Sequence, residues 1–505
     1  MAQGAGAELR FDINRFEVEA NTLLSAEQAQ AAVAPFAGKG KAFADVRSAA
    51  EALENTFRTH GYPVVQVAPP EQDISSGVIR LRVIEPKLGK VIVEGNAHFS
   101  TDNIRASLPS VREGETPNSQ QIARNLQILA EQPAKQTIVT LRSAGSEELV
   151  DASIRVTDEK PWRAFFTLDS TGTGQTGYYR AGFGYQHANL FGRDHVLTAQ
   201  YVTSPTRPRD VTILGLGYRI PYYALNSSLE LTAGYSDVNS GSVAGLFTVS
   251  GSGTIGGARW NWYLPKWGAI EQKLSLALDY RAYHNNVQFL GASVVPDITV
   301  HPLSLTYAAT YRAAAGEISG YAGLSRNLPG GSDGRDADFR ASRAAATDSY
   351  TLVRYGLSVL GQLPADWQVR AVLSGQTTSD ALVAGEQFGL GGPDSVRGYL
   401  PRELANDRGY SAQLELYTPD VAARARLSDS HRLRFLAFAD SGTVERNLAA
   451  PGEQLRASIA SVGVGARWSY ARNASLRVDL AEVLHATGSR PKGSQQLVAA
   501  LVLTY

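Results

Sequence analysis

Residues 461–470 read SVGVGARWSY. Val462, Val464, Ala466, Trp468 and Tyr470 alternate with Gly463, Gly465 and Arg467. One face of this segment is apolar and aromatic, the other glycine and arginine, and a period of two is the signature of a strand. The pattern recurs. In YYRAGFGYQ (178–186), Tyr179, Ala181, Phe183 and Tyr185 oppose Arg180, Gly182, Gly184 and Gln186. In TLVRYGLSV (351–359), Val353, Tyr355, Leu357 and Val359 oppose Arg354, Gly356 and Ser358. A soluble sandwich also alternates, but it turns its polar face to the outside. A polar face of glycine and arginine suits a wet lumen. Segments of about ten residues are long enough to cross a bilayer at a tilt. The sequence from 161 to 505 is therefore expected to form an all-β transmembrane barrel.

The connections support this reading. Short ones (YALN, PKWG, AAAGE, LPAD, YARNAS) alternate with long ones at Asn285–Pro296, Asn327–Ser349, Ala381–Arg408 and Ser441–Arg456. Membrane barrels have short turns on one side and long loops on the other. Trp162, Trp260, Trp262, Trp267, Trp367 and Trp468 lie beside short connections or at the start of the barrel, as one interfacial belt would require. About 20 residues per strand and connection, with an even strand number, gives about 16 antiparallel strands.

Residues 1–160 differ in character. Val46, Ala50, Leu53 and Phe57 share one face of a helix over 42–60, which Gly61 ends. Ile122, Leu126 and Leu129 do the same over 118–131, with Asn118 as N-cap. Val18-Glu19-Ala20-Asn21 returns 75 positions later as Val93-Glu94-Gly95-Asn96, and Ser25 returns as Ser100. The expectation is two copies of one α+β module, each ordered strand, helix, helix, strand, strand.

Composition narrows the function. Formal net charge is zero, which gives no footprint for nucleic acid. Without cysteine there is neither a disulfide framework nor a thiolate metal site. No apolar run is long enough for a transmembrane helix. The start, MAQGAGAELRFD, has no leader pattern; either the protein is cytosolic or Met1 replaces a removed leader. The eight histidines show no HExxH spacing, and no GxSxG elbow is present. His187 and His195 bracket a turn and read as interfacial residues. Barrel glycines explain SGSGTIGG better than a phosphate loop does. Asp333, Asp336 and Asp338 lack EF-hand spacing and read as a solvated loop rather than a calcium site. No cofactor, metal or catalytic residue is expected.

Two further stretches, with the repeats upstream, carry a resemblance. Val396-Arg397-Gly398-Tyr399 lies in GLGGPDSVRGYLPRE (389–403), and Phe438-Ala439-Asp440-Ser441-Gly442 lies in HRLRFLAFADSG (431–442). The junction RVIEPKLGKVIVEGNAHFS and the barrel entry from KPWRAFF onward are also similar to the family. Over nearly its whole length the chain resembles the transporters of two-partner secretion. This is the TpsB family, which includes the filamentous haemagglutinin transporter and the haemolysin activator-secretion proteins. The resemblance implies a short tail (1–10), POTRA domains at 11–86 and 87–160, and an outer-membrane barrel at 161–505. It makes Val396, Arg397, Gly398 and Tyr399 the VRGY tetrad of a sixth extracellular loop folded into the lumen. It makes Phe438, Asp440 and Gly442 the FxDxG motif of the barrel wall.

Alternation puts Leu433, Phe435, Ala437 and Ala439 on the lipid side and Asp440 on the lumen side. An arginine fork binds a carboxylate bidentately, so Arg397 and Asp440 form the proposed ion pair. The bland alternative is a pair that only stabilises the barrel. The expected function is capture of an unfolded TpsA-like exoprotein by periplasmic POTRA domains, followed by secretion through the barrel. The expected partners are that exoprotein and outer-membrane lipid, with no nucleic acid, and the expected state is a monomer. The alternatives are a barrel-assembly factor of the same superfamily and a passive porin or receptor. Some family members begin with a plug helix. Here only about ten residues precede the first strand, so the plug is expected to be absent or removed.

Overall fold

A computed structural model describes residues 10–505 apart from 175, 238–240, 244–246, 250–251, 285–287, 290–291 and 294–295. Nearly all of the tail (1–10), Ser250 and Gly251, and most of the connection 285–296 therefore lie outside the described residues. The chain divides into two compact units near Glu159.

In the N-terminal unit, Arg15–Glu19 runs parallel to Val78–Ile84, which pairs antiparallel with Gln66–Ala68. Helices Ala26–Val33 and Phe43–Thr59 cover this sheet, burying Val46, Ala50, Leu53 and Phe57 against Phe16, Ile79 and Leu81. The second copy repeats the plan. Lys87–Glu94 runs parallel to Leu149–Asp158, which pairs antiparallel with Lys135–Ser146. Its helices are Thr101–Ser107 and Ser119–Leu129. The first copy adds a hairpin partner that the alternation did not signal, Arg10–Ile13 on Gly38–Ala42.

The 75-residue repeat has a local cause. Asn21 Nδ2 donates to Leu24 O at 2.9 Å, and Asn96 Nδ2 donates to Phe99 O at 2.8 Å. Ser25 and Ser100 then accept from the backbone N–H of Gln28 and Asn103 to cap the following helix. The turn residue between strand and asparagine has positive φ in both copies, +62° at Ala20 and +84° at Gly95. Only glycine fits the second copy, because a Cβ at Gly95 would lie 2.4 Å from Val156 O. A carboxylate from the last strand region ties each turn down. Glu85 accepts from Thr22 N and Leu23 N, and Asp158 accepts from the N–H groups of Ala97, His98 and Phe99.

Burial pushes the Asp158 carboxyl up, but those three N–H groups and nearby His98 outweigh it and hold it below its ordinary value. A lowered folded-state pKa gives stability that is complete above the unfolded value and is lost as pH falls through the folded one. Asp158→Ala is therefore expected to cost about 1–2 kcal/mol at neutral pH, the range of a lost cap. The difference from wild type should shrink below about pH 4. Urea melts of the N-terminal unit at pH 7 and pH 3.5 measure both.

The second unit is a closed antiparallel barrel of sixteen strands. Its first strand, Trp162–Asp169, pairs with its last, Gln495–Thr504, and closes the ring. The eighth strand comes in two pieces, Ile298–Val300 and Pro302–Ala313, both on Ile270–His284. Alternation sorts the side chains as a bilayer demands. Phe183, Leu214, Tyr280, Leu357, Leu414, Phe435 and Val464 face outward, while Gln200, Asn261, Gln376, Gln413 and Asp440 are buried inside. Trp267 and Trp367 stand at short turns, and Trp162 lies 5.9 Å from the Tyr505 ring, centroid to centroid.

Connection lengths depart from the reading in two places, and one long connection holds an unexpected helix. The strand His431–Glu445 continues past Ser441, so that loop shrinks to 446–455. On the short side, residues 418–430 form a thirteen-residue connection between Arg408–Tyr417 and His431–Glu445. The acidic connection after Asn327 holds a helix, Asp336–Ser342. Asp338 accepts from Arg335 N at the start of that helix and Asp336 pairs with Arg340, so both carboxylates serve the helix. Seven residues between Arg335 and Arg343 are too few for apolar periodicity to reveal a helix.

Candidate functional site

The barrel's sixth long connection, 378–407, turns back into the lumen. Phe388–Leu390 pairs with Leu404–Asn406 to make a hairpin, and its tip carries Val396, Arg397, Gly398 and Tyr399. All three non-glycine side chains of the tip are sealed. Val396 and Tyr399 join Leu390, Val444, Ile459 and Val483 in one buried cluster, and Arg397 is 1% exposed. Gly398 has φ +90°, and an added Cβ would lie 3.3 Å from both Ala481 and Val483. The tip can lie this close to the wall only without a side chain there.

The wall strand His431–Glu445 presents Phe438, Asp440 and Gly442 inward. Arg397 Nε donates to Asp440 Oδ2 at 2.6 Å and Nη2 to Oδ1 at 2.7 Å, a bidentate fork. Arg397 N adds a third bond to Asp440 Oδ2 at 3.1 Å. The guanidinium carbon sits 3.5 Å from the centroid of the Phe438 ring, a cation–π contact out of water. Gly442 leaves room for Leu390 of the hairpin, whose Cδ2 would lie 2.7 Å from an added Cβ. Tyr399 Oη lies within hydrogen-bond reach of the carbonyls of His485 and Ala460, at 2.7 and 2.9 Å, and its one proton is shared between them.

Two acids enter the site that the motif reading left out. Arg397 Nη1 donates to Glu415 Oε1 at 2.7 Å and lies 3.7 Å from Asp479 Oδ1. Each is balanced in turn: Glu415 by Arg370 at 3.0 Å, Asp479 by Arg467 at 2.8 Å and Arg477 at 2.9 Å. Both were within reach of the sequence. In QLELY, Leu414 and Leu416 point out, so Gln413 and Glu415 point in; in LRVDLA, Asp479 shares its face with Arg477 and Ala481.

The glycines of SVGVGARWSY now have a reason. A Cβ at Gly463 would lie 2.4 Å from Phe438 Cζ, and one at Gly465 would lie 2.4 Å from Asp479 Oδ1. Two glycines on one strand make room for the ring and the carboxylate that hold the arginine.

Residues 151–468 match the family described as haemolysin secretion/activation protein ShlB/FhaC/HecB, and residues 11–86 match its POTRA domain of ShlB type. The chain belongs to the ShlB/FhaC/HecB family. It is 21% identical over 414 residues to the outer membrane transporter CdiB of Dickeya dadantii, covering 79% of this chain and 71% of that one. It is 20% identical over 460 residues to the heme/hemopexin transporter protein HuxB of Haemophilus influenzae strain Rd, covering 89% and 79%. The solved structure of CdiB from Escherichia coli shares the fold at a TM-score of 0.82 and 17% identity, covering 100% of this chain and 92% of that one. As a ShlB/FhaC/HecB protein, the chain is an outer-membrane transporter of two-partner secretion. Its barrel spans the outer membrane and its POTRA region lies in the periplasm.

Proposed function

We propose that residues 11–86 and 87–160 act as two POTRA domains that capture an unfolded exoprotein in the periplasm. The barrel, residues 161–505, then passes it outward as a monomer seated in outer-membrane lipid. The observation that supports this reading most is the buried fork of Arg397 on Asp440. A loop from the long-loop side, fastened inside the lumen, obstructs the path and must keep a defined shape for transport. A structural pair alone would not need Glu415, Asp479 and the Tyr399 anchors gathered around one loop tip.

Capture has a physical route in the N-terminal unit. Lys135–Ser146 is an edge strand of the second sheet, twelve residues long, with Ile138 63% exposed. A free edge of this length accepts an added strand through main-chain hydrogen bonds. Co-expression with a candidate TpsA-like exoprotein tests the function. The exoprotein is expected in the medium with wild-type protein and in the periplasm without it. Ile138→Pro, which disrupts the edge, is expected to leave the barrel inserted and lower secretion about tenfold, near the cost of one lost strand contact. Equal secretion with and without this chain overturns the reading.

A further inference from the structure

Among its several anchors, the loop that carries Arg397 makes two buried charged contacts with the barrel wall. Its first arm brings Glu386, 1% exposed, onto another part of the wall. Glu386 Oε1 accepts from Arg281 Nη1 at 2.9 Å and from Tyr283 Oη at 2.7 Å, and Oε2 accepts from Arg354 Nη2 at 3.3 Å. Gln376 Nε2 donates to the Glu386 carbonyl at 3.0 Å. Arg281 and Tyr283 lie on Ile270–His284, the seventh strand of the ring, and Arg354 lies on Thr351–Gln362, the tenth. Asp479, beside Arg397, lies on Ala474–Val483, the fifteenth. Glu386 is thus tied to strands seven and ten, and Arg397 to strands twelve, thirteen and fifteen. Residues 386–397 are therefore a strap inside the lumen between two parts of the wall.

The polarity of the two fastenings is reversed. At one end a loop carboxylate meets wall arginines, and at the other a loop arginine meets wall carboxylates. Like charges would face each other if the strap docked the wrong way round, which fixes its orientation. The fastenings are also unequal. Arg397 has a bidentate fork, a backbone bond and a ring stack, all sealed. The Arg354 side chain is 36% exposed and that of Arg281 19%, so the arginines that hold the sealed Glu386 are wetter than Arg397. Arg281 also keeps a second partner, Asp279, at 2.7 Å.

We infer that Glu386 is the positioning residue for pore opening: the strap leaves Arg281 and Arg354 first and swings on its Arg397 tip. This rests on the reading of the barrel as a transport pore. The experiment uses the full chain in planar bilayers, with potassium chloride current as the readout. Glu386→Gln keeps the shape and removes the charge, and is expected to raise the open-time fraction about tenfold. The chain has no cysteine, so Arg354→Cys with Glu386→Cys supplies a unique thiol pair. Joined by a cleavable bis-maleimide, this pair is expected to lose its openings, and cleavage should restore them in the same preparation. A contact that only stabilises the barrel would not respond to a bridge made and cut in one folded sample. Openings unchanged by complete bridging, or a wild-type open fraction in Glu386→Gln with normal heat modifiability, overturn the proposal. Expected gating without secretion of any exoprotein overturns the transport reading and leaves the gate.

Discussion

Arg397→Ala is expected to give a barrel that reaches the outer membrane, unfolds at lower temperature and secretes at least about tenfold less. The substitution removes one cation from among three buried acids. Asp440 loses its guanidinium partner, while Glu415 and Asp479 keep Arg370, Arg467 and Arg477. Breaking a buried pair by deleting one member costs about 3–5 kcal/mol, far more than the roughly 0–1 kcal/mol of an exposed pair. The whole barrel does not depend on it, since the site lies on strands twelve to fifteen and the ladders among the other strands, including the closing one between the first and the last, do not involve it. The measurements are the temperature of the electrophoretic shift and secreted exoprotein per folded barrel. Arg397→Lys is expected to rescue poorly, because a point charge cannot make the fork.

Gly442→Val is expected to have a comparable effect through shape alone. An added Cβ at this position would lie 2.7 Å from Leu390 Cδ2 and 2.9 Å from the carbonyl oxygen of Tyr410. The leucine can move but the carbonyl belongs to the barrel ladder and resists. Displacing Leu390 opens the cluster that holds Val396 and Tyr399, so the hairpin cannot seat. Overpacking of this kind costs about 1–3 kcal/mol, enough to undock a loop without dissolving the barrel. Gly442→Ala combined with Leu390→Ala should secrete better than Gly442→Ala alone. If the double variant is no better, the strain lies at Tyr410 and the hairpin's fit is not the cause.

The architecture was legible because a lipid-facing strand must alternate, and SVGVGARWSY alternates over ten residues. Repeats in the N-terminal unit were legible because Asn21 and Asn96 make the same turn. The sixteen-strand count followed from average spacing and an even number. The helix Asp336–Ser342 escaped because one buried residue, Phe339, carries it. Glu415 and Asp479 escaped because no motif includes them; their place in the site depends on strand register, which sets Glu415 opposite Phe438. Glu386 escaped for a different reason. It sits in a loop with no period, and its arginines come from strands far away in sequence.

The central claim is that the loop tip and the wall act as one device through Arg397 and Asp440. A double-mutant cycle on secretion per folded barrel, comparing wild type, Arg397→Ala, Asp440→Ala and the double variant, tests it most directly. An interaction that joins the two residues can be lost only once, so the double variant should secrete about as well as the worse single variant. Defects that multiply in the double variant, or normal secretion by both single variants, would contradict the account.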